Sequence, residues 1–437
     1  MRTVSFKTFG CRLNRAETDR YAAEFALAGI ATVPFGTASD IVVIHTCAVT
    51  ATAERECLRI AGSLRRKNSR ACLVLSGCAV ESASRERLAN LGMNLVVPRE
   101  QSDHLVSLVL AHLGTERETS HSEQASAGTG RETAALASPR QRALLKVQDG
   151  CSNYCTYCFV PLARGKPQSR PFQECLAEAK EWIGKGFEEI VVVGCNLALY
   201  EDGAKRLPDL LAALTELDGV GRIRLSSLEP GRFEREITAI MAATPKLCPF
   251  LHLPIQSGDD DVLHRMGRFY NASYLREMLD EIVQLVPTLG LGADLITGFP
   301  GETEEMFRHT KQLVEDYPFS NLHVFPYSER PGTPAVSFPD QVPLPVRKQR
   351  ASELIALRET KREAFATRQL DRVVAPLIET VADNRTGHGW TAEYLPCSIS
   401  DVGRDSIGKI LSVRVTAVSG EELHGTRLQE RIARTVG

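Results

Sequence analysis

The sequence predicts a multidomain α/β protein: a parallel-sheet α/β domain at the N-terminus, a central partial (β/α)6 barrel, and a small antiparallel β-barrel at the C-terminus. Three observations carry this expectation. Short apolar runs alternate with amphipathic stretches over the first 115 residues, a longer β/α series begins at Arg142, and the chain after residue 370 turns to short strands with Gly-rich turns. A chain of 437 residues is too long for one ordinary core.

In residues 1–115, strand-like runs fall at Thr3–Thr8, Ile41–His45, Cys72–Ser76 and Asn94–Val97. Helical patterns follow at Arg15–Ala28, Ala51–Arg66, Glu81–Leu91 and Gln101–Leu113. This rhythm predicts a small, mostly parallel sheet with helices on its faces. Residues 116–138 are rich in Ser, Thr, Gly, Ala and Glu, lack the apolar side chains a core needs, and are expected to form a flexible linker.

Residues 139–370 carry the second series, with strand-like runs at Ala143–Val147, Glu189–Val193, Arg222–Ser226, Phe250–Leu253, Gly292–Ile296 and Asn321–Phe325. Six strands suit an open, partial barrel better than a closed eight-stranded one. Pro339, Pro343 and Pro345 punctuate its end before a basic helix, Val346–Leu370. In residues 371–437, Val373–Val381, Trp390–Leu395, Ile407–Val418 and Glu422–Leu428 read as strands of a compact antiparallel barrel.

With 43% hydrophobic and 24% charged residues, the composition is that of a soluble globular protein, and no apolar run reaches the length of a membrane helix. The N-terminus begins in a strand-like alternation without a signal-peptide profile. Together with twelve Cys, this predicts a reducing compartment, the cytoplasm, and metal ligation in place of disulfides. The net charge of −2 gives no global nucleic-acid signal. Two segments, 54–70 and 346–370, each carry a local surplus of Lys and Arg. They are either solvated helix faces or candidate phosphate contacts.

Two cysteine sets carry the chemistry. Cys151, Cys155 and Cys158 stand in the run Gly150-Cys-Ser-Asn-Tyr-Cys-Thr-Tyr-Cys158, a CxxxCxxC spacing that reaches three corners of an iron–sulfur cube and leaves one iron open. Zinc is the alternative, but no paired knuckle or His partner stands nearby. Cys11, Cys47 and Cys78 each lie just beyond a predicted strand, so parallel strands would bring them to one carboxyl edge, where open α/β sheets bind ligands. Gly10 and Gly77 would permit close backbone approach. Cys57, Cys72, Cys175, Cys248 and Cys397 read as inert buried side chains.

With both sets placed, the chain resembles the radical S-adenosylmethionine (SAM) methylthiotransferases of the MiaB/MtaB/RimO family over essentially its whole length. The resemblance rests on Lys7-Thr-Phe-Gly-Cys-Arg-Leu-Asn14, His45-Thr-Cys-Ala-Val-Thr50, Ser76-Gly-Cys78, Gln148-Asp-Gly-Cys151, Leu251-His-Leu-Pro-Ile-Gln-Ser-Gly258 and Thr297-Gly-Phe-Pro-Gly-Glu-Thr303 in this order. Ser226-Ser-Leu-Glu-Pro230, Pro161-Leu-Ala-Arg-Gly165 and His323-Val-Phe-Pro-Tyr-Ser328 resemble the MtaB-like branch. Asn14-Arg-Ala-Glu17 and Cys195 differ from the commonest family wording and are expected to touch no ligand.

The resemblance implies an auxiliary cluster domain, a radical SAM core and a TRAM-like RNA-binding domain. It implies two [4Fe-4S] clusters, on Cys11, Cys47 and Cys78 and on Cys151, Cys155 and Cys158, with SAM as both radical source and methyl donor. The reaction implied is methylthiolation at carbon 2 of N6-threonylcarbamoyladenosine beside the anticodon of tRNA. That carbon is neither acidic nor electrophilic, so the hard chemistry belongs to the cofactor. SAM contacts are expected at Tyr157, Gly194, Asn196, Gln256, Ser257, Gly298 and Glu302. Arg164 and Arg170 are expected at SAM carboxylate or RNA phosphate, with surface ion pairs as the alternative, and Glu229 in the site or in a solvated loop. Expected partners are the tRNA anticodon stem-loop, a low-potential electron donor such as flavodoxin or ferredoxin, and a sulfur donor, with no membrane. The alternatives are methylthiolation of isopentenyladenosine in tRNA or of an aspartate in a small-subunit ribosomal protein, and, in a different class, a non-catalytic metal-cluster RNA-binding protein.

Overall fold

The computed structural model describes residues 2–67, 70–114 and 140–428, so the expected linker at 116–138 lies outside the described residues. Two compact units emerge: Met1–Pro139 with Cys158–Lys166 and Glu329–Thr333, and Arg140–Tyr157 with Pro167–Ser328 and Pro334–Gly437.

The first unit is a five-stranded sheet of β1 (Thr3–Thr8), β2 (Ala31–Thr32), β3 (Ile41–Thr46), β4 (Cys72–Gly77) and β5 (Leu95–Val97), in the order β2-β1-β3-β4-β5. All pairings are parallel. Strands β3 and β4 are buried at every residue because helices cover both faces, which is why they read as continuous apolar runs without alternation. Val4, Val43, Val74, Tyr21, Phe25, Leu105 and Val109 pack one face, and Ile44, Leu73, Leu75, Leu58 and Leu64 the other. The expected helix at Glu81–Leu91 is replaced by two short ones, Cys78–Ser82 and Arg85–Ala89, the second started by the Ser84 hydroxyl accepting the Arg87 N–H.

The second unit opens with six parallel strands: β6 (Arg142–Lys146), β7 (Glu189–Val193), β8 (Arg222–Leu225), β9 (Phe250–Gln256), β10 (Gly290–Thr297) and β11 (Phe319–Pro326). They form two three-stranded sheets, β8-β7-β6 and β9-β10-β11. Parallel bridges Ile223–Leu247 and Ser227–His252 link the two across the β8/β9 boundary, giving an open run of six.

The same unit ends in a six-stranded sheet of β12 (Val373–Val374), β13 (Leu377–Val381), β14 (Gly387–Trp390), β15 (Pro396–Ile399), β16 (Val413–Ser419) and β17 (Glu422–Arg427), around Ile378, Leu395, Ile399, Val413, Val415 and Leu423. Two expectations change here. The sheet is mixed, because β15 and β17 pair in parallel. The run Trp390–Leu395 is mostly the turn between β14 and β15, and its carbonyls accept from Arg222 and Arg224. Those two guanidiniums and Arg142 surround Glu189, whose side chain is fully buried.

Candidate metal centres and cofactor site

In the first unit, β1, β3 and β4 end at one edge of the sheet. Cys11 precedes the helix Arg12–Leu27, Cys47 follows β3, and Cys78 opens Cys78–Ser82. Gly10 (φ +90°) and Gly77 (φ +93°) make the convergence possible: a Cβ on Gly10 would lie 2.8 Å from Cys47 Sγ, and one on Gly77 2.5 Å from Thr46 O. Burial pushes the Cys47 thiol up to about 12, and the neighbouring Cys78 and Cys11 thiols add to the rise. Cys47 is buried, Cys78 half-buried and Cys11 exposed, so the three thiols leave one side open. Converging soft donors in a cradle that a single Cβ would close suit an iron–sulfur cluster, whose positive iron would stabilise the thiolates that burial disfavours.

Behind these thiols runs a buried polar network. Asn14 Nδ2 donates to Phe9 O (2.8 Å) and Thr46 O (2.9 Å), tying the Cys11 and Cys47 loops together. Arg164 donates to Asn14 Oδ1 (2.6 Å) and to both Glu17 oxygens (3.1 Å each), and its charge lowers the Cys78 thiol against the rise from burial. His45 Nε2 lies 2.9 Å from Glu17 Oε2. This corrects two expectations. Arg164 is an internal ion-pair partner, and Asn14 Oδ1 stands 3.9 Å from Cys11 Sγ, beside an expected ligand. Asn14 and Glu17 stand three residues apart on one helix, among its buried residues, and that shared face was the available signal.

In the second unit, Gln148 organises the loop that carries Cys151. Its amide donates to Asp149 O (2.8 Å) and Gly150 O (2.7 Å), and its Oε1 accepts the Asn196 N–H (2.9 Å). Asn196 Nδ2 lies 3.6 Å from Cys151 Sγ, while its Oδ1 is buried without a hydrogen-bond partner. An orphaned acceptor beside the Cys151 thiol is chemically suited to a cofactor amine. A Cβ on Gly194 would meet Leu197 Cδ2 at 2.8 Å and Gln148 Oε1 at 3.1 Å, so a larger residue would push these two side chains aside.

Cys155 is buried, which raises its thiol, and Arg268 Nη1 donates to its sulfur at 3.2 Å, which lowers it. Arg268 also donates to Pro254 O (2.9 Å), meets the Tyr157 and Tyr270 hydroxyls, and pairs with Glu229. Glu229 is therefore no solvated loop residue: burial pushes its carboxyl up to about 7 against the pull of Arg268. Tyr157 sets its ring edge-on to Phe299. Cys158, half-buried, opens the segment Cys158–Lys166 of the first unit.

The remaining expected residues sit at the next strand ends. Gln256 (φ +67°) closes β9 after a register slip that begins at Leu253. Ser257 is fully buried, with its hydroxyl 3.1 Å from Thr310 Oγ1. Gly298 (φ +68°) donates its N–H to Glu302 Oε2 (2.6 Å), which also accepts from Arg350 (2.7 Å). Burial outweighs both and pushes the Glu302 carboxyl up to about 7.

The basic segments are only partly free for phosphate. Arg65 donates to Gly92 O and Ala71 O, and Arg347 and Arg350 are buried. Outside these segments, Arg170, expected at SAM carboxylate or RNA phosphate, pairs with Glu178.

Comparison with known proteins places these motifs. The model of the radical SAM superfamily matches residues 145–314, and that of uncharacterized protein family UPF0004 matches residues 3–98. The threonylcarbamoyladenosine tRNA methylthiotransferase MtaB of Bacillus subtilis is 34% identical over 427 residues, covering 95% of this chain and 94% of that protein. The chain belongs to the radical SAM methylthiotransferase family. MtaB of Thermotoga maritima is likewise 34% identical, with 96% of each chain covered. The tRNA-2-methylthio-N(6)-dimethylallyladenosine synthase of Mycobacteroides abscessus is 32% identical, covering 89% of this chain and 79% of that one. Among solved structures, the radical SAM methyltransferase TsrM of Kitasatospora setae matches with a TM-score of 0.58 at 14% identity, over 77% of this chain and 75% of that one, a likeness of fold. Membership of the family brings SAM and [4Fe-4S] clusters as its cofactors.

Proposed function

We propose that this chain methylthiolates carbon 2 of N6-threonylcarbamoyladenosine next to the anticodon of tRNA. The observation that carries the reading is the 34% identity to proteins named for that activity along 95% of the chain. Cys11, Cys47 and Cys78 would hold the auxiliary cluster, and Cys151, Cys155 and Cys158 the cluster that binds SAM. When bound, these groups supply a carbon-centred radical and the sulfur and methyl to be inserted.

The chain's own residues bind and orient. Asn196 Oδ1 is available to accept from the SAM amine, with Gly194 clearing the space beside it. Tyr157 lies in the loop of the Cys151–Cys158 run, and Gln256 and Gly298 stand at the ends of β9 and β10, where backbone groups would meet adenine and ribose. Ser257 and Glu302 would act from behind: the Ser257 hydroxyl holds the helix residue Thr310, and Glu302 fixes the Gly298 N–H. Arg268 places a fixed positive charge on the Cys155 sulfur. In this reading residues 1–115, 139–370 and 371–437 are the auxiliary-cluster, radical SAM and TRAM-like RNA-binding domains. A low-potential electron donor and a sulfur donor serve it in the cytoplasm.

Mass spectrometry of tRNA nucleosides, with and without this protein, tests the proposal. The methylthio form of threonylcarbamoyladenosine is expected only with it. A methylthio group on isopentenyladenosine would move the chain to the second branch, and unchanged tRNA would reject both. With purified enzyme, Cys155→Ala should abolish SAM cleavage, whereas Cys47→Ala should keep cleavage and stop sulfur insertion.

A further inference from the structure

Three adjacent strands of the second unit place His252 (β9), Asp294 (β10) and His323 (β11) together. Asp294 pairs directly with His323 in the ladder, and His252 pairs with Gly292, two residues before Asp294 on the same face of β10. On the opposite face Leu291, Ala293 and Leu295 are fully buried, whereas Asp294 is only partly buried. His252 Nε2 lies 2.9 Å and His323 Nδ1 3.2 Å from the same oxygen, Asp294 Oδ1, and the three donor atoms fall within 4.8 Å of one another. Ligands about 2.1 Å from one metal ion on adjacent coordination positions would be separated by roughly 3 Å, which matches these spacings.

Local packing fixes the arrangement. A Cβ on Gly292 would stand 2.5 Å from His252 Nδ1, so glycine lets the imidazole lie flat against β10. His252 is buried while His323 is half exposed, which leaves one side of the triad open.

We infer that His252, Asp294 and His323 form a binding site for a divalent first-row transition metal ion. Two imidazoles and one carboxylate are a borderline donor set suited to Zn2+ or Fe2+ in preference to Mg2+ or Ca2+. An ion held by three protein ligands keeps positions for an oxygen ligand from solution. Resting on the reading above, that ligand is a carboxylate or hydroxyl of the substituent on the target adenosine. Metal retention itself does not depend on the identity of the substrate.

The test uses the full chain with both clusters reconstituted, equilibrated with Zn2+, passed through a desalting column and analysed for zinc, iron and sulfide. About one zinc per chain is expected in the wild type, and a small fraction of that in Asp294→Asn and His323→Gln with iron and sulfide unchanged. Equal zinc in all three proteins, or none in the wild type, would overturn the site. Loss of methylthiolation in the variants without any zinc difference would also overturn it, and would assign the histidines to direct contact with substrate. Wild-type zinc binding with no tRNA product would leave the metal site standing and count against the substrate reading alone.

Discussion

Arg268 Nη1 lies 3.2 Å from the sulfur of Cys155, and the same guanidinium pairs with the buried carboxylate of Glu229. A cation donating to a ligand sulfur stabilises the reduced, more negative state of a cluster and raises its potential. Arg268→Ala should lower the potential of the cluster proposed on Cys151, Cys155 and Cys158 and slow SAM cleavage by about 10–100-fold. A redox titration followed by electron paramagnetic resonance, run beside a deoxyadenosine assay, checks it. An unchanged potential would refute the assignment.

Arg164 and Glu17 form a fully buried ion pair, with side chains 3% exposed on each. Removing the cation takes the nearest full charge from a buried carboxylate that His45 (2.9 Å) and the more distant Arg99 (3.7 Å) also face. Arg164→Met should cost about 3–5 kcal/mol, and adding Glu17→Gln should recover much of it. Chemical denaturation of the single and double variants measures the coupling, and purely additive effects would contradict it.

Glu189 is held by Arg224, Arg222 and Arg142, whose charges hold its carboxyl far below the usual range against the rise from burial. A depressed carboxyl stabilises the fold fully above its unfolded value, so stability should fall as pH drops below about 4.3. Glu189→Gln should flatten that acid limb and be less stable at pH 7. Because Arg222 and Arg224 also donate to Trp390 O, Thr391 O and Ala392 O, the C-terminal sheet should loosen first, which amide hydrogen exchange would detect.

Glu302 has the opposite sign. Its carboxyl is pushed up to about 7, so between about 4.3 and 7 the folded chain binds more protons than the unfolded one. Stability should therefore decline as pH rises through that window and level off above it. Glu302→Gln should lack the decline in denaturation curves taken at each pH.

Much of the strand plan was legible because each central strand is a short apolar run bounded by turn residues: β1, β3, β4 and β7 begin where the pattern begins. That Cys11, Cys47 and Cys78 follow strands ending at one edge was legible for the same reason, since parallel strands share an edge. The split of the Glu81–Leu91 helix and the turn inside Trp390–Leu395 were not. There Ser84 capping and the pull of Arg222 and Arg224 on the turn carbonyls override local propensity.

The sequence alone determined most of the strands, their order, and which thiols sit at strand ends, because these depend on short-range period and residue type. Only the tertiary structure decided which charges are buried and with whom. Arg164 meets Glu17 across 147 residues and Arg268 meets Cys155 across 113. A lone arginine in a sequence reads as solvated, since its interaction energy is set by the dielectric and the partner that folding brings to it.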